Sequence, residues 1–200
     1  RRVVAVKKRA VFLDRDGTIN EDVGYPRRYS QIRIYPESFE AVSALNKSGL
    51  MTIVITNQSG IGRGLLTEED LEDIHKNMRV SFSQKNARLD AFYYCPHYEL
   101  SEVSRYRDLC SCRKPNPGLA RRAAADFDID LRHSYMIGDK LEDILFGRNI
   151  RATPVLVLTG AGRESLAQLK AQGFKPAHVA ADILQAAHWI IAREKKTARS

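Results

Sequence analysis

The chain has 200 residues, 44% hydrophobic and 28% charged, and its 32 Lys and Arg against 24 Asp and Glu leave a net charge of +8. That balance belongs to a globular protein able to bury its own core. No apolar run approaches the roughly 18 residues that cross a bilayer, so a membrane partner is not expected. The basic excess suits an anionic ligand. Basic residues are scattered, however, and nowhere alternate with aromatic ones as on a base-stacking surface, so nucleic acid is not the expected partner. Cys95, Cys110 and Cys112 are an odd number, which points to reduced thiols and a cytoplasmic location rather than a disulfide framework. One domain spanning residues 1–200 is expected, a monomer rather than an oligomer, with 195–200 a disordered charged tail. Arg1 reads as a trimmed end.

Short apolar runs alternate with helical patterns, which reads as βαβ units around a parallel sheet. Residues 10–13 are continuously apolar and end at Asp14, as a buried parallel strand does. Residues 20–35, with alternating Tyr, Arg and Ile, are a candidate flap or β-hairpin. Residues 36–48 carry helical spacing through Phe39, Val42 and Leu45, stopped by Gly49. Residues 51–56 form the second strand. Thr67 is the expected N-cap of a helix through Leu71, Ile74 and Met78, with Asp70 completing the cap. Residues 91–94 form the third strand, and 96–116 are a loop too long to be merely a connector. Pro117 opens another helix. Residues 134–137 and 154–158 are further strands, and a last helix follows Leu184.

In open parallel sheets, ligands bind beyond the carboxyl ends of the strands. The first strand leads into Asp14-Arg15-Asp16-Gly17-Thr18, the second into Thr56-Asn57-Gln58-Ser59-Gly60, and the fourth into Gly138-Asp139-Lys140, with Asp143 one turn on. Phosphoryl transfer needs a nucleophile, a proton shuttle and cations for the equatorial oxygens. Asp14 and Asp16, two residues apart on extended chain, point to one side. A magnesium ion would hold them ionised together, with Asp139 as a third ligand. Gly17 allows a sharp turn, Thr56 offers a hydroxyl and Lys114 a charge to the transferring group. Each piece alone has a plainer reading, as an Asx turn, a strand end or a helix cap. Their order and strand context argue for a site.

Cys95-Pro96-His97 and Cys110-Ser111-Cys112 supply four zinc-type ligands, Cys95, His97, Cys110 and Cys112. The spacing is not that of a zinc finger, and free thiols beside a surface His are the alternative. A metal would offset the entropy of an irregular loop and place Lys114, two residues past Cys112.

Asp14-x-Asp16-Gly17-Thr18, Thr56-Asn57, Lys114 and Gly138-Asp139-x-x-x-Asp143 together resemble the four motifs of the haloacid dehalogenase-like phosphatase superfamily. The resemblance extends from about Val11 to Leu158. It implies a Rossmann-like three-layer α/β/α fold with a central, mainly parallel sheet; the compact order of elements in this chain leaves no large cap domain beside the zinc-binding loop. It also implies that Asp14 takes the phosphoryl group and that Asp16 protonates the leaving oxygen and then activates water. The Asp16 carbonyl would join the magnesium shell, and Asp143 would orient Asp139 or Lys140. The stretches 12–20, 56–64, 93–97, 110–115 and 138–143 resemble the branch acting on D-glycero-D-manno-heptose 1,7-bisphosphate. That likeness implies a phosphorylated-sugar substrate met by Asp22, Gly24, Tyr25, Asn57, Gln58 and Ser59. Arg113 and Lys140 would serve a second phosphate. The sister branch of histidinol-phosphate phosphatases shares the zinc loop, but Arg63 and Gly24-Tyr25 favour the heptose branch. A nucleic-acid 3′-phosphatase of the same chemistry and a non-catalytic zinc-stabilised binding module are the other readings. The chain departs from the superfamily pattern over 145–151, where Asn149 is expected to replace a Gly at a left-handed helix end.

Overall fold

Ala10, Val11, Phe12 and Leu13 have no exposed surface and form strand β1 (Ala10–Leu13). A strand with both faces covered has no polar position to spare, hence the unbroken apolar run. The computed structural model describes residues 7–108 and 110–197. In it β1 is joined by β2 (Met51–Asn57), β3 (Ala91–Cys95), β4 (Tyr135–Gly138), β5 (Thr153–Val157) and β6 (His178–Ala180). They form one six-stranded sheet in the order β3-β2-β1-β4-β5-β6, each adjacent pair parallel.

Side chains alternate across this sheet, and each face meets its own helices. Val11 and Leu13 pack with Val54, Ile137 and Val157 against α1 (Pro36–Lys47), α3 (Glu68–Ser83) and α7 (Ile183–Thr197). Ala10 and Phe12 face the other way, with Ile53, Ile55 and Met136, toward α4 (Gly118–Phe127) and α5 (Leu141–Asn149). The result is the expected three-layer α/β/α arrangement. Local chemistry sets the helix starts. Pro36 occupies the first position of α1, where its missing N–H costs nothing. Thr67 and Asp70 form a reciprocal capping box on α3, with Asp70 N donating to Thr67 Oγ1 at 3.0 Å and Thr67 N to Asp70 Oδ2 at 2.9 Å.

Several expectations need correction. Residues 20–35 form no hairpin; Asn20 and Ile34 make a single antiparallel bridge, and a 3-10 turn occupies Tyr29–Gln31. Pro26, lacking an N–H, and Gly24 at φ +81° interrupt any ladder there. Residues 195–197 of the expected tail are helical, because the two lysines favour helix and the preceding Glu194 accepts from Tyr135 Oη at 2.7 Å. Residues 198–200 lie outside the described part. Asn149 stays helical and donates to Pro115 O at 2.9 Å, while Arg151 holds the left-handed conformation at φ +63°. The short helix α2 (Ser59–Gly62), α6 (Gly162–Ala171) and the three-residue β6 were not legible in the pattern.

Candidate active site and metal centre

Between β1 and β4 the strand order reverses, with β2 and β3 to one side and β5 and β6 to the other. That switch point opens a crevice at the carboxyl ends. Asp14 leaves β1 there, its N–H held by Ile137 O at 2.9 Å. The Lys114 ammonium spends its three protons on Asp14 Oδ1 at 2.7 Å, Asp143 Oδ1 at 2.6 Å and Ile55 O at 3.0 Å. Burial would lower the Lys114 value, but Asp14 and Asp143 raise it, so the side chain stays charged.

Asp139 completes the cluster. Carboxylate oxygens of Asp14, Asp139 and Asp143 lie within 4.8 Å of one another. Asp139 accepts from Thr18 Oγ1 at 3.0 Å and from Ala161 N at 2.8 Å. Its fit against the motif is close: a Cβ on Gly17, itself at φ +90°, would lie 2.3 Å from Asp139 Oδ2. Burial, then the charges of Asp14 and Asp143, push Asp139 up to about 8. Burial and Asp143 push Asp14 up to about 6, against the pull of Lys114 and Lys140. Two carboxyls raised in this way mark negative charge that one lysine does not offset, and a divalent cation with a preference for oxygen ligands fits it.

Asp16 does not share this cluster through its carboxylate, contrary to the same-side reading. Arg15, wholly buried, grips it from Nε to Oδ1 at 3.0 Å and from Nη2 to Oδ2 at 2.7 Å. Asn20 Nδ2 adds 3.0 Å to Oδ1, and Gln58 Nε2 adds 2.9 Å to Oδ2. Burial would raise the Asp16 carboxyl, but the Arg15 guanidinium and these amides hold it below the usual range.

At the second strand end, Asn57 and Gln58 bond to neighbouring residues of the site. Asn57 Oδ1 accepts from Lys114 N at 2.9 Å and its Nδ2 donates to Lys114 O at 3.2 Å, so both its polar atoms are committed to one backbone unit. Gln58 bridges Asp16 and Thr56 Oγ1, the latter at 3.0 Å. Ser59 begins α2. Asp143, expected to orient Asp139 or Lys140, caps Lys140 N at 3.0 Å and takes Lys114 with its other oxygen.

At the rim, Lys140 Nζ meets Asp22 Oδ2 at 3.2 Å, and Asp22 Oδ1 accepts from Gly24 N at 3.1 Å. Tyr25 is 44% exposed, and its ring lies where a Cβ on Gly60 would stand, which ties residues 20–35 to α2. Arg113 Nη1 donates to His97 O at 3.4 Å.

Cys95, His97, Cys110 and Cys112 converge within 4.8 Å. Sulfur–sulfur distances are 2.9 to 3.3 Å, and His97 Nδ1 lies 3.2 Å from Cys112 Sγ. Cys95 and burial push the Cys112 thiol up, as expected for sulfurs crowded together without a cation. This donor set fits zinc. Other contacts brace the loop. Glu68 accepts from Tyr94 Oη at 2.7 Å and Tyr106 Oη at 2.5 Å, and the Arg63 guanidinium lies 3.7 Å over the Tyr98 ring. Sequence reasoning missed Arg15, Asn57 as a backbone clamp, Glu68 and the 160–161 turn. Arg15 and Asn57 lay inside motifs already singled out, but their partners are distant in sequence.

Known proteins are similar to this chain in sequence and fold. Residues 111–186 match the model of the HAD-hydrolase-like family. Over 153 residues the chain is 43% identical to a D-glycero-beta-D-manno-heptose-1,7-bisphosphate 7-phosphatase of Escherichia coli K12, covering 76% of this chain and 80% of that protein. A Pasteurella multocida protein of the same name is 40% identical over 154 residues, 76% of this chain and 83% of its own. The crystal structure of a D,D-heptose 1,7-bisphosphate phosphatase from B. bronchiseptica, complexed with magnesium and phosphate, superposes with a TM-score of 0.82. It is 32% identical, over 92% of this chain and 99% of that one.

Proposed function

The chain belongs to the haloacid dehalogenase-like phosphatases, and from that membership we propose that it removes the C7 phosphate of D-glycero-D-manno-heptose 1,7-bisphosphate. The observation that carries this reading is Lys114 held between Asp14 and Asp143, with Asp139 beside them at a parallel-sheet switch point. Asp14, Asp139 and the Asp16 carbonyl would hold magnesium, whose charge would offset that of the phosphoryl oxygens.

The chain's own residues supply the remaining chemistry. Lys114 occupies Asp14 Oδ1, leaving Oδ2 to attack phosphorus. Asp16 takes up a proton as substrate displaces its Asn20 and Gln58 contacts while Arg15 keeps it in place. The bond to the sugar oxygen breaks as Asp16 delivers that proton to it, and an aspartyl-phosphate remains on Asp14. Asp16 then takes a proton from water as that water attacks, and phosphate leaves. Lys114 neutralises charge on the transferring group, exchanging part of its carboxylate contact for phosphate. Arg113 and Lys140, the latter released from Asp22, receive the second phosphate, while Asp22, Gly24 and Tyr25 meet the sugar. Zinc at Cys95, His97, Cys110 and Cys112 would fix the loop that carries Lys114. Unpaired thiols also suit a protein that acts in the cytoplasm.

A phosphate-release panel tests the reading, comparing the heptose bisphosphate with sugar monophosphates, histidinol phosphate and a 3′-phosphorylated oligonucleotide. The highest kcat/KM is expected for the heptose bisphosphate. A preference for histidinol phosphate or the oligonucleotide would replace it with the corresponding alternative. No magnesium-dependent release from any of them would leave a zinc-stabilised binding module.

A further inference from the structure

His75 is a buried polar ring for which the chemistry above has no use. It comes from the middle of α3, among Leu71, Ile74, Met78 and Phe82, where helical spacing calls for an apolar side chain. It is 6% exposed, and its ring stacks on Phe92 with centroids 4.4 Å apart and planes at 24°. Packing alone would be served by Leu or Phe at this position. Instead, His75 Nε2 lies 3.3 Å from Arg15 Nη1.

That contact completes the partners of a guanidinium with no exposed surface. Nε and Nη2 of Arg15 hold the two oxygens of Asp16, and Nη1 points away from them toward α3. A buried guanidinium arm left without an acceptor costs free energy and frees the group to rotate. A neutral imidazole protonated on Nδ1 supplies that acceptor. Burial, then Arg15, disfavours the charged ring, with Asp16 opposing and Arg79 adding to the effect. The chain of contacts is therefore Phe92 to His75 to Arg15 to Asp16, and it ends on the group that must reach the leaving oxygen.

We propose that His75 is a positioning residue, which by accepting from Arg15 fixes the guanidinium that sets the place of the Asp16 carboxyl. This inference rests on the phosphatase reading and assigns a source of precision to its proton-transfer step. A ring that only fills space would affect all substrates alike. A ring that places the proton donor matters where the leaving oxygen needs a proton.

The test compares kcat/KM, which reports events up to departure of the leaving group, for two esters. A sugar phosphate releases a strongly basic alkoxide, whereas p-nitrophenyl phosphate releases a phenolate that needs no proton. His75→Leu is expected to lower kcat/KM for the sugar phosphate by about tenfold or more, within the range of general-acid contributions. The value for p-nitrophenyl phosphate should change by less than about twofold, because little of that contribution is used there. His75→Gln, whose amide oxygen can still accept from Arg15, should recover most of the loss. Equal losses on both esters, no loss on either, or a Gln variant as defective as Leu would overturn the proposal. Nitrogen-15 NMR of the wild-type ring provides a check that needs no substitution: Nε2 must be unprotonated, and a protonated Nε2 would refute the assignment. If the wild-type protein hydrolyses neither ester, the phosphatase reading fails and the inference with it. Turnover of both by wild type confines any failure to His75.

Discussion

Lys114 is saturated: two carboxylates and a carbonyl take its three protons at 2.6 to 3.0 Å. Asp143 is the partner that also caps α5, so Asp143→Ala removes an anion from a buried pair and a cap together. A loss of about 3–5 kcal/mol is expected from breaking such a pair, read as a lower melting temperature alongside reduced turnover. Unchanged stability would mean that Asp143 is not what holds Lys114. Among the described residues the Arg113 side chain is held by a long contact to His97 O, so Arg113→Ala should leave the fold intact. It should raise KM for the bisphosphate more than for a monophosphate; equal effects would remove Arg113 from the second-phosphate site. At this scale Asp14, Asp139 and Lys114 were legible, since each sits at a strand end or beside a cysteine motif. The roles of Arg15 and Asn57 were not. Asn57 meets its partner across 57 positions, and no local spacing encodes that.

The loop 96–116 draws its order from side chains rather than from a ladder. The four metal-type ligands tie its start to its later part, and Glu68 holds Tyr94 and Tyr106 from α3. Stripping zinc, or Cys110→Ser, is expected to lower kcat by displacing Lys114 while the sheet still melts cooperatively. Full turnover in a sample verified as zinc-free would refute the coupling. The Glu68 carboxyl lies below its usual range, chiefly because Tyr106 and then Tyr94 donate to it. Its folded value is thus below the unfolded one, so its contribution is present above the unfolded value and is lost as pH falls through the folded one. The melting-temperature gap between wild type and Glu68→Gln should be open near neutral pH and narrow as the pH falls below the ordinary glutamate range; a gap independent of pH would exclude a charge effect. Among the elements, helices with caps and wholly apolar strands were readable. β6 was not, because its three residues show no period. Of the two readings of 20–35, the hairpin fails because alternation of side chains does not reveal a ladder interrupted at Pro26.

The whole molecule carries a net charge of +8, although its deepest cluster is acidic. The basic excess should favour encounter with a doubly phosphorylated sugar and be screened by salt, whose Debye length falls to about 8 Å near physiological strength. KM for the bisphosphate is therefore expected to rise with ionic strength more steeply than for a monophosphate, and a flat response would show that long-range charge plays no part. The three-layer order followed from apolar runs alternating with helical patterns. The position of β1 between β2 and β4 did not, since the sequence of elements leaves the lateral order of strands open.

That lateral order also separates two kinds of change that the molecule can tolerate. Asp14 and Asp139 hang from the central strands β1 and β4, whereas the cysteine loop departs from β3, at the sheet's edge. The acidic cluster and the loop that carries Lys114 thus come from different parts of the framework. Variation in the edge loop leaves the centre unchanged, provided that Asn57 still clasps the residue that brings the lysine home.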